Sequence, residues 1–287
     1  MNGMKTNTLP KAKKTLALSL IYFELIFAVI IVLYPVVWII GTALDPINNL
    51  GRTALIPLNA TFANFTRLFQ KYDYVTWYRN TGYVAVMTMV FSVLINILTT
   101  FTFGRFRFRG KKAGMLAATI LQMFPSFIFL TALYMIAATF GLLNNLNMLV
   151  IIYVAGSIPA NIWIVKGYLK NLPKSLDEAA YIDGASKLQV FFKILLPLST
   201  PIISFVAFIS FMGPWMDFIL PSILISSREK RTLAYGLFEM SLTSGNQNDF
   251  TAFCAGALLV AAPITILYMI FQRYLITGIA SGANKGE

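Results

Sequence analysis

Imidazole, thiol and carboxylate groups carry most side-chain chemistry, and this sequence of 287 residues is poor in all three. Histidine is absent, which excludes Ser-His-Asp and Cys-His nucleophilic sites and any histidine-ligated zinc or haem. The single cysteine, Cys254, lies inside an apolar run. It forms no disulfide framework or CxxC metal site, and it reads as a small buried hydrophobe. Only two acids, Glu24 and Asp217, fall within long apolar runs. A carboxylate in such a run is costly and faces protein or water. Glu24, about two turns from the end of its run, reads as structural. Asp217 follows Gly213-Pro214, where irregular backbone is expected, and two readings stay open for it: a pathway-lining group or a structural hydrogen-bond acceptor. No second Asp lies near it for an aspartyl pair. No GxxxxGK[ST] sequence occurs; Gly110-Lys111-Lys112 lacks the earlier Gly and the Ser/Thr, so the chain has no P-loop of its own. No catalytic constellation, metal site or cofactor is predicted, and the chain is not expected to be an enzyme.

The strongest pattern is NLPKSLDEAAYIDGASKLQVFFKILLPLSTP, which is too polar to span a bilayer and too ordered for a plain loop. Ser175 with Glu178 has the S-x-x-E form of a capping box, and Ser186 with Gln189 repeats the device. A short helix is predicted from Leu176, a break at Gly184, and a second helix from Lys187 that Pro197 ends or joins to the next segment. Leu176, Ala179 and Ala180 share one side of the first helix; Leu188, Phe191, Phe192 and Leu195 share one side of the second. A compact hairpin of this kind is shaped to seat in a groove of a partner.

The elements that must hold this hairpin are apolar. Hydrophobic residues make up 57%, mean hydropathy is +0.71, and charged residues are only 12%, against about 25% in soluble domains. The net charge of +12 does not indicate a nucleic-acid binder, because the bases sit in gaps between uncharged runs rather than on a soluble basic face. Six runs are long enough to cross a bilayer: residues 16–44, 81–103, 113–140, 147–165, 200–225 and 251–271. Their length argues for helices rather than barrel strands of about 10 residues. All but the second contain a proline (Pro35, Pro125, Pro159, Pro214, Pro263), which favours kinks. Basic residues crowd the tail before the first run, the GRFRFRGKK connection, the hairpin segment and the C-terminal end; the opposite loops hold only Arg52, Arg67, Lys71, Arg79, Arg228, Lys230 and Arg231. This asymmetry places both termini in the cytoplasm. The first run, too long for a signal-peptide core, reads as a retained helix. Two external segments are long. FANFTRLFQKYDYVTWY carries a helical stripe behind Thr61 as N-cap, and reads as an interface-lying helix with Trp77 and Tyr78 as belt anchors, or as a contact for an external partner. The other, 226–250, ends in the polar tip TSGNQND, suited to reaching a partner outside.

Glu178-Ala179-Ala180, Gly184, Ile194 and Leu196-Pro197 together resemble, at matching spacing, the EAA signature of ABC-importer permeases. FGRFRFRGKK resembles the basic loop of the same families, and FQRYLITGIASGANKG the end of maltose/maltodextrin-type sugar permeases. The resemblance implies an all-α integral membrane protein with the six-helix type I importer permease fold. It implies an N-terminal part over 1–75, a transmembrane core over 76–272 with the coupling loop at about 168–197, and a C-terminal tail over 273–287. It further implies a subunit that pairs with a second permease, two ATPase subunits and an extracellular solute-binding protein in a bacterial or archaeal cell membrane. Glu178, Ala179, Ala180, Gly184, Ile194, Leu196 and Pro197 would form the ATPase-coupling element. The 226–250 loop would reach the binding protein, and the tail the ATPase interface. The solute would be a sugar, maltose/maltodextrin or a related oligosaccharide, with a non-sugar ABC importer or an ion-gradient-driven transporter as alternatives.

Overall fold

The computed structural model describes residues 11–47, 55–242 and 249–283, and among them the chain is helical throughout, with no strand. The polar tip at 243–248, Arg52 and the last four residues lie outside the described residues. The helices are α1 (Lys11–Leu44), α2 (Ala63–Lys71), α3 (Tyr74–Arg105), α4 (Lys111–Met123), α5 (Phe129–Thr139), α6 (Leu146–Asn171), α7 (Ser175–Ile182), α8 (Lys187–Val190), α9 (Leu196–Leu198), α10 (Thr200–Met216), α11 (Ile219–Leu224), α12 (Leu233–Leu242) and α13 (Phe250–Ala283). Four are long and apolar enough to cross a membrane: α1 over Leu18–Leu44, α3, α6, and α13 over Phe250–Gln272. A fifth candidate is the bent pair Lys187–Leu198 and Thr200–Met216, whose segments meet at 73°.

The run at 113–140, expected as one helix, is broken into α4 and α5. Pro125 causes the break: Phe124 before it is extended (φ −83°, ψ 132°), as a residue preceding proline prefers. Gln122, one turn earlier, donates to the carbonyl of Pro159 in α6 at 2.8 Å, so the break lies beside the proline of the neighbouring helix. The run at 200–225 is likewise split, at Asp217. Pro35, Pro159 and Pro263 remain inside continuous helices.

Helix α3 is the hub, packed along α6 and α10. Its seam with α6 is polar inside: Thr88, Ser92 and Asn96, four residues apart on one stripe, are buried, and Asn96 donates to the Ser92 carbonyl at 2.8 Å and to Ser157 Oγ at 2.9 Å. Around this hub, Val165, Leu169, Ile202 and Val206 pack at one end, and Val84, Leu149, Leu220 and Leu224 at the other.

The segment before α3 belongs to the core. Asn64 of α2 is fully buried and donates to the carbonyls of Ala43 (2.9 Å) and Asp45 (2.7 Å), while Thr251 Oγ1 donates to Asn64 Oδ1 at 3.0 Å. These bonds tie the end of α1 to α2 and α13. Thr61 lies one residue before Phe62, the last residue ahead of α2, and its Oγ1 accepts from the first helical amide, Ala63 N, at 3.2 Å. Trp77 corrects a second expectation. It is 3% exposed and packs with Leu68, Tyr74, Leu233 and Leu237 instead of anchoring at the membrane surface, because Gly236 leaves space for its indole.

Candidate functional site

The hairpin begins where Pro173 stops α6. Leu176 N–H donates to the Pro173 carbonyl at 3.3 Å, and the amides of Asp177 and Glu178 donate to Lys174 O at 3.0 and 3.1 Å. The turn thus starts earlier than the sequence suggested. Ser175 already has its place within α7, Lys174 is the N-cap in helical conformation, and no Ser175–Glu178 capping box forms. Asp177 and Glu178 instead complement the helix dipole from the first turn.

The far end of α7 closes with a Schellman motif. Gly184 N–H donates to Tyr181 O at 3.1 Å and Ala185 N–H to Ala180 O at 2.9 Å, with Gly184 at φ +80°. The second capping box forms as read: Ser186 N–H donates to Gln189 Oε1 at 2.7 Å, and Gln189 N–H to Ser186 Oγ at 3.3 Å. Phe191–Leu195 then widens into a π-turn just ahead of Pro197, which lacks the N–H needed to continue a regular ladder.

Three contacts join the hairpin to α3. Arg105 Nε lies 3.3 Å from Asp177 Oδ2, with side chains only 9% and 14% exposed. Arg105 Nη2 donates to Leu172 O at 3.3 Å. The rings of Phe101 and Phe191 lie 4.5 Å apart. Inside the hairpin, Ala180, Val190 and Leu195 are buried against Phe101, Leu172 and Ile194.

The seven signature residues therefore divide. Ala180 and Ile194 pack inward; Leu196 is half-buried; Glu178, Ala179, Gly184 and Pro197 are exposed. The apolar stripe expected on α8 divides too, with Phe191 and Leu195 inward but Leu188 and Phe192 outward. Tyr181 and Ile182, which the sequence reading did not select, join the exposed face, Ile182 at 86%. Their signal was an apolar pair closing a helix of only eight residues, too short to bury both sides. Exposed apolar groups beside small residues have the chemistry of a surface that a partner could cover rather than of a reaction centre. No cluster of His, Cys, Asp or Glu suited to a metal occurs among the described residues.

Asp217 lies at the break between α10 and α11. Its Oδ2 accepts from Tyr153 OH at 2.9 Å, and its Oδ1 accepts from the amides of Ile219 (2.8 Å) and Leu220 (3.3 Å). The carboxylate caps α11 and ties it to α6, hydrogen bonds of the kind the structural reading requires. Asp217→Asn keeps an acceptor for the amides and is expected to leave folded yield within about twofold. Asp217→Ala loses the cap, at a cost of about 1–2 kcal/mol, and lowers yield in membranes. An equal yield for both variants, measured by fluorescence-detected size exclusion, would remove this role. Glu24 is exposed on α1, and Cys254 is buried.

On the opposite end, Asp249 is 3% exposed at its side chain and is bridged by Arg67 (2.8 Å) and Lys71 (3.1 Å) of α2. The hydrogen bond that Lys71 donates to Asp249, which outweighs the burial of the ammonium, holds Lys71 protonated above its ordinary range. Asn144, at φ +56°, accepts from Ser227 N at 3.1 Å and Ser227 Oγ at 2.9 Å, clipping the α5–α6 turn to the chain beyond α11.

Residues 96–281 match the family described as binding-protein-dependent transport system inner membrane component. The galactooligosaccharides transport system permease protein GanQ of Bacillus subtilis (strain 168) is 37% identical over 96% of this chain and 98% of its own length. The maltodextrin transport system permease protein MalD of Streptococcus pneumoniae (strain ATCC BAA-255 / R6) is 36% identical over 96% and 98%. A bacterial ABC transporter crystal structure, involved in the import of the acidic polysaccharide alginate, shares the fold at TM-score 0.78 and 21% identity, over 94% of this chain and 100% of that one.

Proposed function

Because the chain belongs to the binding-protein-dependent transport system inner membrane component family, we propose that it is a membrane-spanning permease subunit of an ATP-driven oligosaccharide importer, of the maltodextrin or galactooligosaccharide class. It forms half of a translocation pathway with a second permease and is not itself an ATPase. Two ATPase subunits bind below, and a solute-binding protein delivers the sugar above; a relative of the fold is known in complex with a pentasaccharide-bound periplasmic protein. Six spans follow if α4–α5 and α10–α11 each count as one broken crossing. The basic loops favour both termini in the cytoplasm.

The observation that carries this reading is the exposed α7–α8 face on a hairpin clamped to the bundle. Glu178, Ala179, Gly184 and Ile182 meet an ATPase groove, while Ala180, Ile194, Leu196 and Pro197 hold the hairpin's shape. When the ATPase dimer closes on ATP, the hairpin moves as a body. The Arg105–Asp177 pair and the Phe101–Phe191 contact pass that displacement to α3, and the 73° elbow before α10 passes it to a second helix of the hub. Asp217 stays a second candidate for lining the pathway, at the break between α10 and α11.

The test is purification of the tagged chain from its native membrane in mild detergent, with mass spectrometry of its companions. The expected result is a stoichiometric ATPase and a second permease. A homo-oligomer free of any ATPase would overturn the assignment.

A further inference from the structure

Helices α4 and α6 run antiparallel in a register that three lysines share. Gln122 meets Pro159, and Lys166 Nζ donates to Met115 Sδ at 2.9 Å, so seven residues back along α4 match seven forward along α6. Four further residues along each helix bring Lys111 beside Lys170. Lys166 accordingly feels the charges of both Lys111 and Lys170. None of the three is in a salt bridge among the described residues, and Lys111 Nζ is held only by the Phe106 carbonyl at 2.9 Å. The cluster sits at the start of α4, whose N-cap is Gly110 with no side-chain cap and whose first turn contains no acid. The dipole of α4 therefore adds to the same positive field. Like charges collected without a counter-charge call for an anion.

The surface next to the cluster says which anion. Lys166 Nζ stands 5.0 Å from the centre of the Trp163 ring, and Trp163, Ile164 and Leu116, which the same register puts close to the level of Lys166, are all exposed, an apolar strip beside the lysines. Tryptophan at the edge of a span marks headgroup depth, and lysine stems reach from the apolar side to that level. An acidic protein surface would match the lysines but leave the strip bare; a free anion would do the same. A lipid matches both.

We propose that the Lys111–Lys166–Lys170 end of the α4–α6 seam binds the phosphate headgroup of an anionic phospholipid, with an acyl chain lying along Trp163, Ile164 and Leu116. The site rests on the membrane placement of α6, and it stands whatever solute the chain transports.

The experiment is native mass spectrometry of the chain, in the complex with which it purifies, titrated with phosphatidylglycerol or phosphatidylcholine. Phosphatidylglycerol is expected to be retained and phosphatidylcholine not. Each lysine near an anionic surface contributes about fivefold, so Lys166→Gln with Lys170→Gln weakens retention by about 25-fold, and the paired Lys→Arg variant keeps it. Equal retention of the two lipids, or no loss in the Gln variant, would overturn the proposal. If the Gln variant fails to fold, a phosphatidylglycerol with a photoreactive acyl chain tests the wild-type chain. Labelling at Trp163, Ile164 or Leu116 supports the site; labelling only elsewhere, or crosslinking of this strip to a protein chain, refutes it.

Discussion

Gly184→Glu is expected to cut oligosaccharide uptake at least tenfold while the chain still reaches the membrane in normal amount. Gly184 has φ +80° at the C′ position of the Schellman motif. A residue with a Cβ in this conformation costs about 1–2 kcal/mol, enough to loosen the bend without unfolding a bundle held elsewhere by α3, α6 and α10. A Cβ at 184 meets nothing within 4 Å in the chain itself. The added glutamate therefore points into the space that the proposed ATPase groove occupies, and strain and occlusion act together. Asn separates them, because it tolerates the left-handed region yet still adds a side chain. Recovery of uptake in Gly184→Asn would assign the loss to the backbone. Continued loss, with the ATPase no longer co-purifying, would assign it to the docking face. Measured uptake of labelled maltotriose at the wild-type rate in Gly184→Glu would remove the hairpin's coupling role.

At Gly236, substitution by Ala is expected to destabilise the purified protein by about 1–3 kcal/mol, the usual cost of overpacking. A Cβ there would lie 2.3 Å from Cε3 of Trp77, with two further ring atoms at 2.4 and 2.6 Å. The indole cannot slide freely, because the rings of Tyr72 and Tyr74 lie 6.2 and 6.4 Å from it and the side chain is buried. The strain must pass into the α3–α12 contact at that end of the bundle. Trp77→Leu removes the ring, so the double variant should be less destabilised than the sum of the two single changes. Thermal unfolding of the four proteins in one detergent reads this directly. An unchanged midpoint in Gly236→Ala, or strict additivity in the cycle, would show that the two residues do not compete for one space.

The hairpin shows how far local signals reach. Its two helices, the Gly184 break and the Ser186–Gln189 box were legible because each depends on neighbours within a few residues. Ser175–Glu178 had the same local form but did not cap, since Pro173 starts the turn early enough to place Ser175 inside the helix. Tyr181 and Ile182 were not legible as surface because apolar residues are expected inward, and only the packing of Ala180 and Val190 against Phe101 decides which side of so short a helix is inside.

By itself the sequence determined a helical membrane protein, its family and the place of its α7–α8 hairpin, because hydrophobic run length, charge bias and capping spacing are properties of short stretches of chain. Tertiary structure alone decided that Trp77 is core rather than belt, that Asp217 caps a broken helix, and that Asn64 and Asp249 bind α2 to α1 and α13. It also decided that Lys111, Lys166 and Lys170 share one seam. Each of these depends on residues far apart in the chain, and burial and partnership at such distances are set by how helices pack, which no local pattern encodes.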